Sequence, residues 1–538
     1  MGTPSESDTE KGQAKIASSS PEPSTSPIVE EGEWRPVSWL RSSFPKFLTG
    51  AFVETRGIER VPAEERIKPS AANYLQMVLI WFSANLSANN IAVGLLGPSV
   101  YQLSYLDSAL CATFGSIVGC AATAFTSTWG PKSGNRTMIV ARYTMGWWPS
   151  RICVLLNMVI MLGYGMIGEL AFLRRRLSCD RQTDLAHFPF LLDCVIGGQM
   201  LSAVADNNMS IIVGIIIVAI ITWVVTVIGL PIFHIYERYA WAPQVAVCFI
   251  LVGCAGPYFN TSTPSIGDGP TIAGNRLTFF SLCLSSCIAW APAGADFFVY
   301  YPEEMKSWHA FSLTLIGEGL SQIFAYLLGI GIASGIATRP SWSAADEISP
   351  GAVMVAAFDT LGRFGKFCGV VVALGVIANN VPGTYSASLG FQCLGSWPLK
   401  VPRFFWNTVG VIIYTICGAV GRNHLYSIFE DLLPLMGYWV TIWFTISLEE
   451  QFIFRRHIGY DWSAWNDKSK LPHGFAALTA FLVGWAGSII SMDQVWYAGP
   501  VAKLVGADGS DLGIYLGVGF AGIVYPPLRY LEKRIVGR

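Results

Sequence analysis

The chain has 538 residues, is 52% hydrophobic and only 13% charged, and has a mean hydropathy of +0.46. A soluble chain carries roughly twice that share of charge, and a net charge of -1 leaves no basic surface for nucleic acid. Many apolar runs of about 20 residues instead mark an all-α polytopic membrane protein. The 12 Cys lie scattered, mostly in apolar runs, with no CxxC pair, and the six His are isolated. They read as small buried side chains, so no metal site and no cofactor is expected.

Residues 1–33 are rich in Ser, Pro, Glu, Thr and Gly. They cannot bury a core and are predicted to be a disordered cytosolic tail. Residues 34–72 mix aromatics with Arg and Lys, which suits a cytosolic juxtamembrane segment lying along the inner membrane surface. No signal-peptide pattern precedes the first apolar run near Tyr74.

About twelve spans fill residues 73–530. The first is interrupted by residues 83–90, SANLSANN, where three amides sit among small residues. That composition predicts a break, although a Ser/Asn-rich helix contact has the same letters. The loop 129–146 carries Lys132, Arg136 and Arg142 and is expected inside, which places the N-terminus in the cytosol. The third span starts near Trp148 and then changes character. Residues 168–192 are polar and include Arg174, Arg175 and Arg176. On insertion scales, each Arg at mid-membrane costs about 2.5–3.5 kcal/mol. Two explanations stand. The stretch is an external loop, or it is an anomalous insert from a retained intron, since Gly168-Glu169 can be encoded GGTGAG. Removing it joins GYGMI to DCVIGGQMLSAV as one span.

The sixth span holds another irregular passage, WAPAGAD from Trp290 to Asp296, and the seventh holds Glu318. In the eighth, Ala378-Asn379-Asn380-Val381-Pro382-Gly383 interrupts an apolar pattern. Pro382 removes a donor and disfavours α geometry at Val381, so this span too is expected to break, with two carboxamides at the gap. Basic clusters at 400–403, 449–473 and 529–538 are expected inside, the last as a cytosolic tail at 531–538. Residues 73–257 and 276–448 then form two halves, each opening on an interrupted span, with two further spans in 474–527. Paired interruptions at matching positions point to an inverted-repeat transporter. GVGFAG at 517–522 matches a dinucleotide motif by letters, but no strand precedes it, so it reads as small-residue helix packing. No nucleophile triad can be placed, and no enzymatic activity is expected.

The stretches WFSANLSANNIAVGLLGP, IVARYTMGWWPSRICVLLN, CVIGGQMLSA, YERYAWAPQ, ADFFVYYPEE, ANNVPGTYSASLGFQCLG and LLPLMGYWVTIWFTISLEE resemble the fungal purine-cytosine permeases of the nucleobase-cation-symport family. The likeness covers residues 35–530 except 168–192. It implies a LeuT-like fold of five-plus-five inverted repeats with helices 1 and 6 broken. It also implies proton-coupled import of purines and cytosine across the plasma membrane. By the same resemblance, Ser83 contacts the base, Tyr164 and Trp290 flank its faces, and Asp193, Asn379, Asn380 and Pro382 complete the site. The chain departs from close cytosine-adenine permeases, which tend to carry Asn where it has Gly383 and Asp193.

Intramembrane carboxyls are candidates for carrying a coupling proton. They are Asp193, Asp296 and Glu318, with Asp193 and Glu318 preferred and Asp296 read as structural. A sensor that binds a nucleobase without moving it, and a same-fold transporter for a nucleoside, allantoin or a vitamin, are the rival readings. The expected partners are the small-molecule substrate and the lipid bilayer.

Overall fold

The computed structural model describes residues 57–537 apart from 69, 162–191, 229, 423–424 and 508. The tail 1–33, Tyr164 and all but the last residue of 168–192 lie outside the described residues.

The order is α1 (Ala71–Asn85), α2 (Ala88–Ser99), α3 (Tyr105–Ser127), α4 (Thr137–Thr144), α5 (Ser150–Met161), α6 (Leu192–Val204), α7 (Ile211–Ile228) and α8 (Leu230–Ala255). Then come α9 (Gly269–Ile288), a 3-10 turn at Ala291–Phe297, α10 (Ser307–Gly335), two short helices α11 (Pro340–Asp346) and α12 (Pro350–Ala356), and α13 (Gly362–Cys393). The chain closes with α14 (Arg403–Gly421), α15 (Leu425–Glu449), α16 (Phe475–Ser491), a hairpin of β1 (Asp493–Gln494) and β2 (Tyr497–Ala498), and α17 (Gly513–Val536). Seven helices among the described residues are long and apolar enough to cross a bilayer, or eight if α1 and α2 count as one bent span. Eleven of the twelve expected spans coincide with one of these helices or with a shorter apolar one, and the twelfth falls on α17, a 24-residue helix that is less apolar.

Glycine sets how closely the central helices cross. Gly115 and Gly119 on α3 face α9, where an added Cβ would lie 2.7 Å from Phe280 O and 2.6 Å from Leu284 O. Gly94 on α2 and Gly329 on α10 meet the same way, an added Cβ on each running into Tyr326 O and Ile91 O respectively. Small residues let backbones approach where hydrocarbon gives no hydrophobic drive for helix association. Gly517 of the GVGFAG stretch likewise faces Ser488 of α16, as helix packing requires.

The first span breaks where the amides predict. α1 and α2 meet at 53°, with Leu86 and Ser87 between them. The eighth span does not break. α13 runs for 32 residues with Pro382 inside it, and Gly383 keeps an ordinary negative φ. An internal proline forfeits one backbone bond and costs about 3 kcal/mol or more. Here packing on α1, α5, α6, α7, α8 and α14 offsets that cost, so the break expected at residues 378–383 is corrected to a continuous helix.

α5 and α6 run antiparallel to α13. Val154 and Met158 face Gly390, Met161 faces Gly383, Asn380 bonds Cys194, Gly197 faces Val376, and Val204 faces Gly369. Thirty-three positions separate Met161 from Cys194, yet their partners Gly383 and Asn380 lie about one turn apart.

The last three helices are clamped by charge. Buried Glu450, just past α15, accepts from Arg529 Nη2 (2.9 Å) and Nε (3.0 Å), Tyr525 Oη (2.8 Å) and Arg455 Nε (2.9 Å). Arg529 Nη1 also donates to Glu532 at 3.2 Å, and Glu532 caps the amides of Gly474 and Phe475.

Candidate substrate site at the break of the first span

A helix that ends inside a membrane frees carbonyls that water cannot reach, so side chains must take them. Ala84 O accepts from Asn379 Nδ2 of α13 at 2.7 Å, and Asn85 O accepts from Asn90 Nδ2 at 2.7 Å. Asn85 Nδ2 turns back to Trp81 O at 2.9 Å. Three carboxamides therefore hold the break open. Asn379 does serve a break, but that of the first span rather than one in its own helix. Asn380 donates to Cys194 Sγ on α6 at 3.4 Å, and Thr384 Oγ1 donates to Asn380 O at 2.8 Å.

The predicted residues gather around this joint. Ser83 is buried one residue before Ala84. Trp290 lies where α9 gives way to the 3-10 turn, and its ring meets Trp81 edge-on with centroids 6.1 Å apart. Pro382 lies one turn along α13 from Asn379. Trp81 also meets Phe297 edge-on at 5.2 Å. The backbone of Asp193 lies in α6 beside Cys194, while its side chain and Tyr164 lie outside the described residues. The arrangement places indole rings and amide edges together, which suits a flat, polar, neutral solute.

Behind the break lies a second polar group that the sequence reading missed. Gln322 of α10 donates to Asn85 Oδ1 at 3.1 Å, and its Oε1 accepts from Tyr326 Oη at 2.6 Å and Cys287 Sγ at 3.0 Å. Glu318, Gln322 and Tyr326 recur every four residues, so they share one face of α10. That spacing was the available signal. Glu318 has no exposed surface, and neither of its oxygens has a hydrogen-bond partner among the described residues. Asn89, in the first turn of α2, is buried with its Oδ1 also unpaired.

Asp296 is bound differently. Its Oδ1 accepts from Thr137 N (2.8 Å) and Oγ1 (3.1 Å), and its Oδ2 accepts from Ser386 Oγ (3.1 Å). Arg136 donates to Asp296 O at 2.8 Å and to Tyr385 Oη at 2.9 Å. The Arg403 guanidinium lies over the Tyr385 ring, 4.7 Å from its centroid. This knot joins the loop before α4, the sixth span and the far half of α13.

A family model described as "Permease for cytosine/purines, uracil, thiamine, allantoin" matches residues 60–170. The Saccharomyces cerevisiae vitamin B6 transporter is 31% identical, covering 90% of this chain and 88% of its own. An Emericella nidulans purine-cytosine permease is 31% identical, covering 90% of each chain. Among solved structures, the nucleobase-cation-symport-1 transporter Mhp1, closed with bromovinylhydantoin bound, matches with a TM-score of 0.62 at 13% identity, over 90% of this chain and 96% of that one. At that identity the likeness speaks for the fold, which is LeuT-like with the first and sixth spans interrupted. Long, ordered matches to permeases and a joint in the first span lined by amides agree, and the chain belongs to the nucleobase-cation-symport family of cytosine-purine permeases.

Proposed function

We propose that this transporter imports a small, planar, nitrogenous heterocycle, a purine base or cytosine, together with a proton across the plasma membrane, with both termini in the cytosol. The observation that carries the reading is the pair of amide-capped carbonyls at the first-span joint, beside Trp290 and Asn379. Trp290, with Tyr164, stacks on the ring faces. Ser83, Asn379 and Asn380 read its edge, Pro382 shapes the α13 wall, and Asp193 contributes from α6. Stacking is worth on the order of 1–3 kcal/mol per base. An amide left unpaired by the wrong base costs about 1–3 kcal/mol, which gives selectivity. Asp193 and Glu318 are the candidates for the coupling proton. Uptake of labelled cytosine and adenine by cells lacking their own permeases, competed with a panel of heterocycles, tests the reading. No saturable uptake of either base overturns it.

A second cargo, a pyridine of the vitamin B6 type, is favoured by one observation. Two positions where close cytosine-adenine permeases tend to carry Asn are Asp193 and Gly383 here, so the side of the site formed by α6 and α13 offers a different edge to the solute, and a Cβ at Gly383 would sit in ordinary contact with Met161 O (3.6 Å) and Sδ (3.9 Å). The vitamin B6 transporter relative supports the same reading. Labelled pyridoxine in the same uptake assay separates the two.

For residues 168–192 we propose an insert that interrupts one span. The near-constant register of α5 and α6 on α13 supports this reading, because it leaves no length of α13 for some twenty-five extra residues to span. Transcripts that all retain the stretch overturn the retained-intron explanation.

A further inference from the structure

Among the described residues, Glu318 differs from the buried acids Asp296, Glu450 and Asp511 in that neither of its oxygens has a hydrogen bond of ordinary geometry, the Cys120 thiol and the Thr123 hydroxyl being the nearest donors. Cys120 and Thr123 face it from α3 and Cys287 from α9, and no lysine, arginine or histidine is among its close neighbours. Tyr326 is the other ionisable group on its own helix face. Of the remaining helices against α10, α2 has no ionisable residue, α1 has only Tyr74, which stacks on Tyr301, and α8 brings Phe249 against Phe324. An ion held there without compensation costs several kcal/mol even after relaxation.

Two of the donors near Glu318, Thr123 and Cys287, are already engaged, and their engagement leads to the joint. Thr123 Oγ1 donates to Cys287 O at 3.2 Å, and Cys287 Sγ donates to Gln322 Oε1 at 3.0 Å. Gln322 Nε2 then holds Asn85 Oδ1, and Asn85 braces the end of α1 through Trp81 O. We propose that Glu318 binds the co-transported proton and that Cys287 and Gln322 relay its occupancy to the joint between α1 and α2, an assignment that rests on the proton-symport reading above. With the proton bound, the carboxyl is neutral and leaves the Cys287 thiol to Gln322. Once ionised, it competes for that thiol hydrogen, and the Gln322–Asn85 tie loosens. On the outer side an O–H bond forms at Glu318 from hydronium, leaving water. On the cytosolic side the same bond breaks to water, and no electrons are exchanged.

The test uses the full chain in proteoliposomes with labelled cytosine, adenine and pyridoxine under an imposed pH gradient. The wild type is expected to concentrate its substrate about tenfold for one pH unit, since one unit equals 1.4 kcal/mol. Glu318→Gln is expected to bring that ratio to about one and to flatten the pH profile of uptake, while exchange of labelled for unlabelled substrate persists at a reduced rate. Cys287→Ala is expected to shift the pH of half-maximal uptake, and Cys287→Ser, which keeps a donor, to restore it; these variants also cover the case in which Glu318→Gln fails to fold. Wild-type uptake that ignores the pH gradient, or follows a sodium gradient instead, overturns both this site and the proton reading. Gradient-driven uptake that is the same in wild type and Glu318→Gln overturns the site alone, as does a pH profile unmoved in Cys287→Ala.

Discussion

Asp296 and Glu318 are both acids buried in the helix bundle, and they are treated in opposite ways. Asp296 has both oxygens filled by Thr137 and Ser386, with Arg136 bonded to its own carbonyl. Glu318 has neither oxygen filled. The donors to the Asp296 carboxylate come from Thr137 at the start of α4 and Ser386 of α13, so that acid fastens α4, the sixth span and α13 to one another. Around Glu318 the Thr123 hydroxyl and the Cys287 thiol are committed elsewhere. A satisfied buried acid is architecture, while an unsatisfied one is a cost that the fold retains at a place where charge can change.

The largest effect that would sharpen the contrast is on stability. Asp296→Ala takes the acceptor from Thr137 N, Thr137 Oγ1 and Ser386 Oγ and removes the negative charge that faces Arg136, and is expected to cost about 3–5 kcal/mol, the range for breaking a buried charged pair. Thermal unfolding in detergent and loss of surface delivery read it. Glu318→Met should act with the opposite sign, raising stability by about 1–3 kcal/mol, because an unpaired buried carboxyl is removed. A destabilised Glu318→Met would erase the distinction between the two acids. Asn379→Ala falls next. It leaves Ala84 O unpaired at the joint, so substrate KM should rise about tenfold, for a loss of about 1–2 kcal/mol.

The smallest effect is local and concerns a third acid, Asp511, in the loop before α17. It accepts from Tyr438, from Gln494 at 3.3 Å and from the amide of Gly513 at 2.8 Å. Burial pushes its carboxyl up to about 7 against the partial relief of those bonds. An acid raised by folding stabilises the fold while it is protonated. The contribution is full below the unfolded value near about 4 and fades as pH rises through 7. Protection from hydrogen exchange in residues 493–512, taken relative to the intrinsic exchange rate at each pH, should therefore be greater at pH 5 than at pH 8, and Asp511→Asn should remove the difference. Deleting residues 168–192 tests the insert separately. Surface delivery is expected to rise severalfold, and no gain counts against it.

Much of this was readable from residue order, for stated reasons. The joint in the first span follows from three amides in SANLSANN, because carboxamides are what replace backbone partners in hydrocarbon. The irregular sixth span follows from WAPAGAD, and the structure places a 3-10 turn there. Pro382 misled, because a proline forfeits only one bond and a helix packed on six others absorbs it. The Asn379 amide was rightly tied to a break but assigned to the wrong helix, since reach across 295 positions leaves no local pattern. The same holds for Arg136 and Asp296, whose bond joins the loop before α4 to the sixth span across 160 positions. Gln322 and Tyr326 did leave a trace in their four-residue spacing from Glu318, which a reading confined to charged residues passes over.

Asn379 sits past the middle of a continuous 32-residue rod and holds the end of α1 by a 2.7 Å bond. Any slide or tilt of that rod must strain this bond before it can open the joint, and any flexing of the joint pulls on the rod. The bend in one helix and the position of another are thus tied through the carbonyl of Ala84.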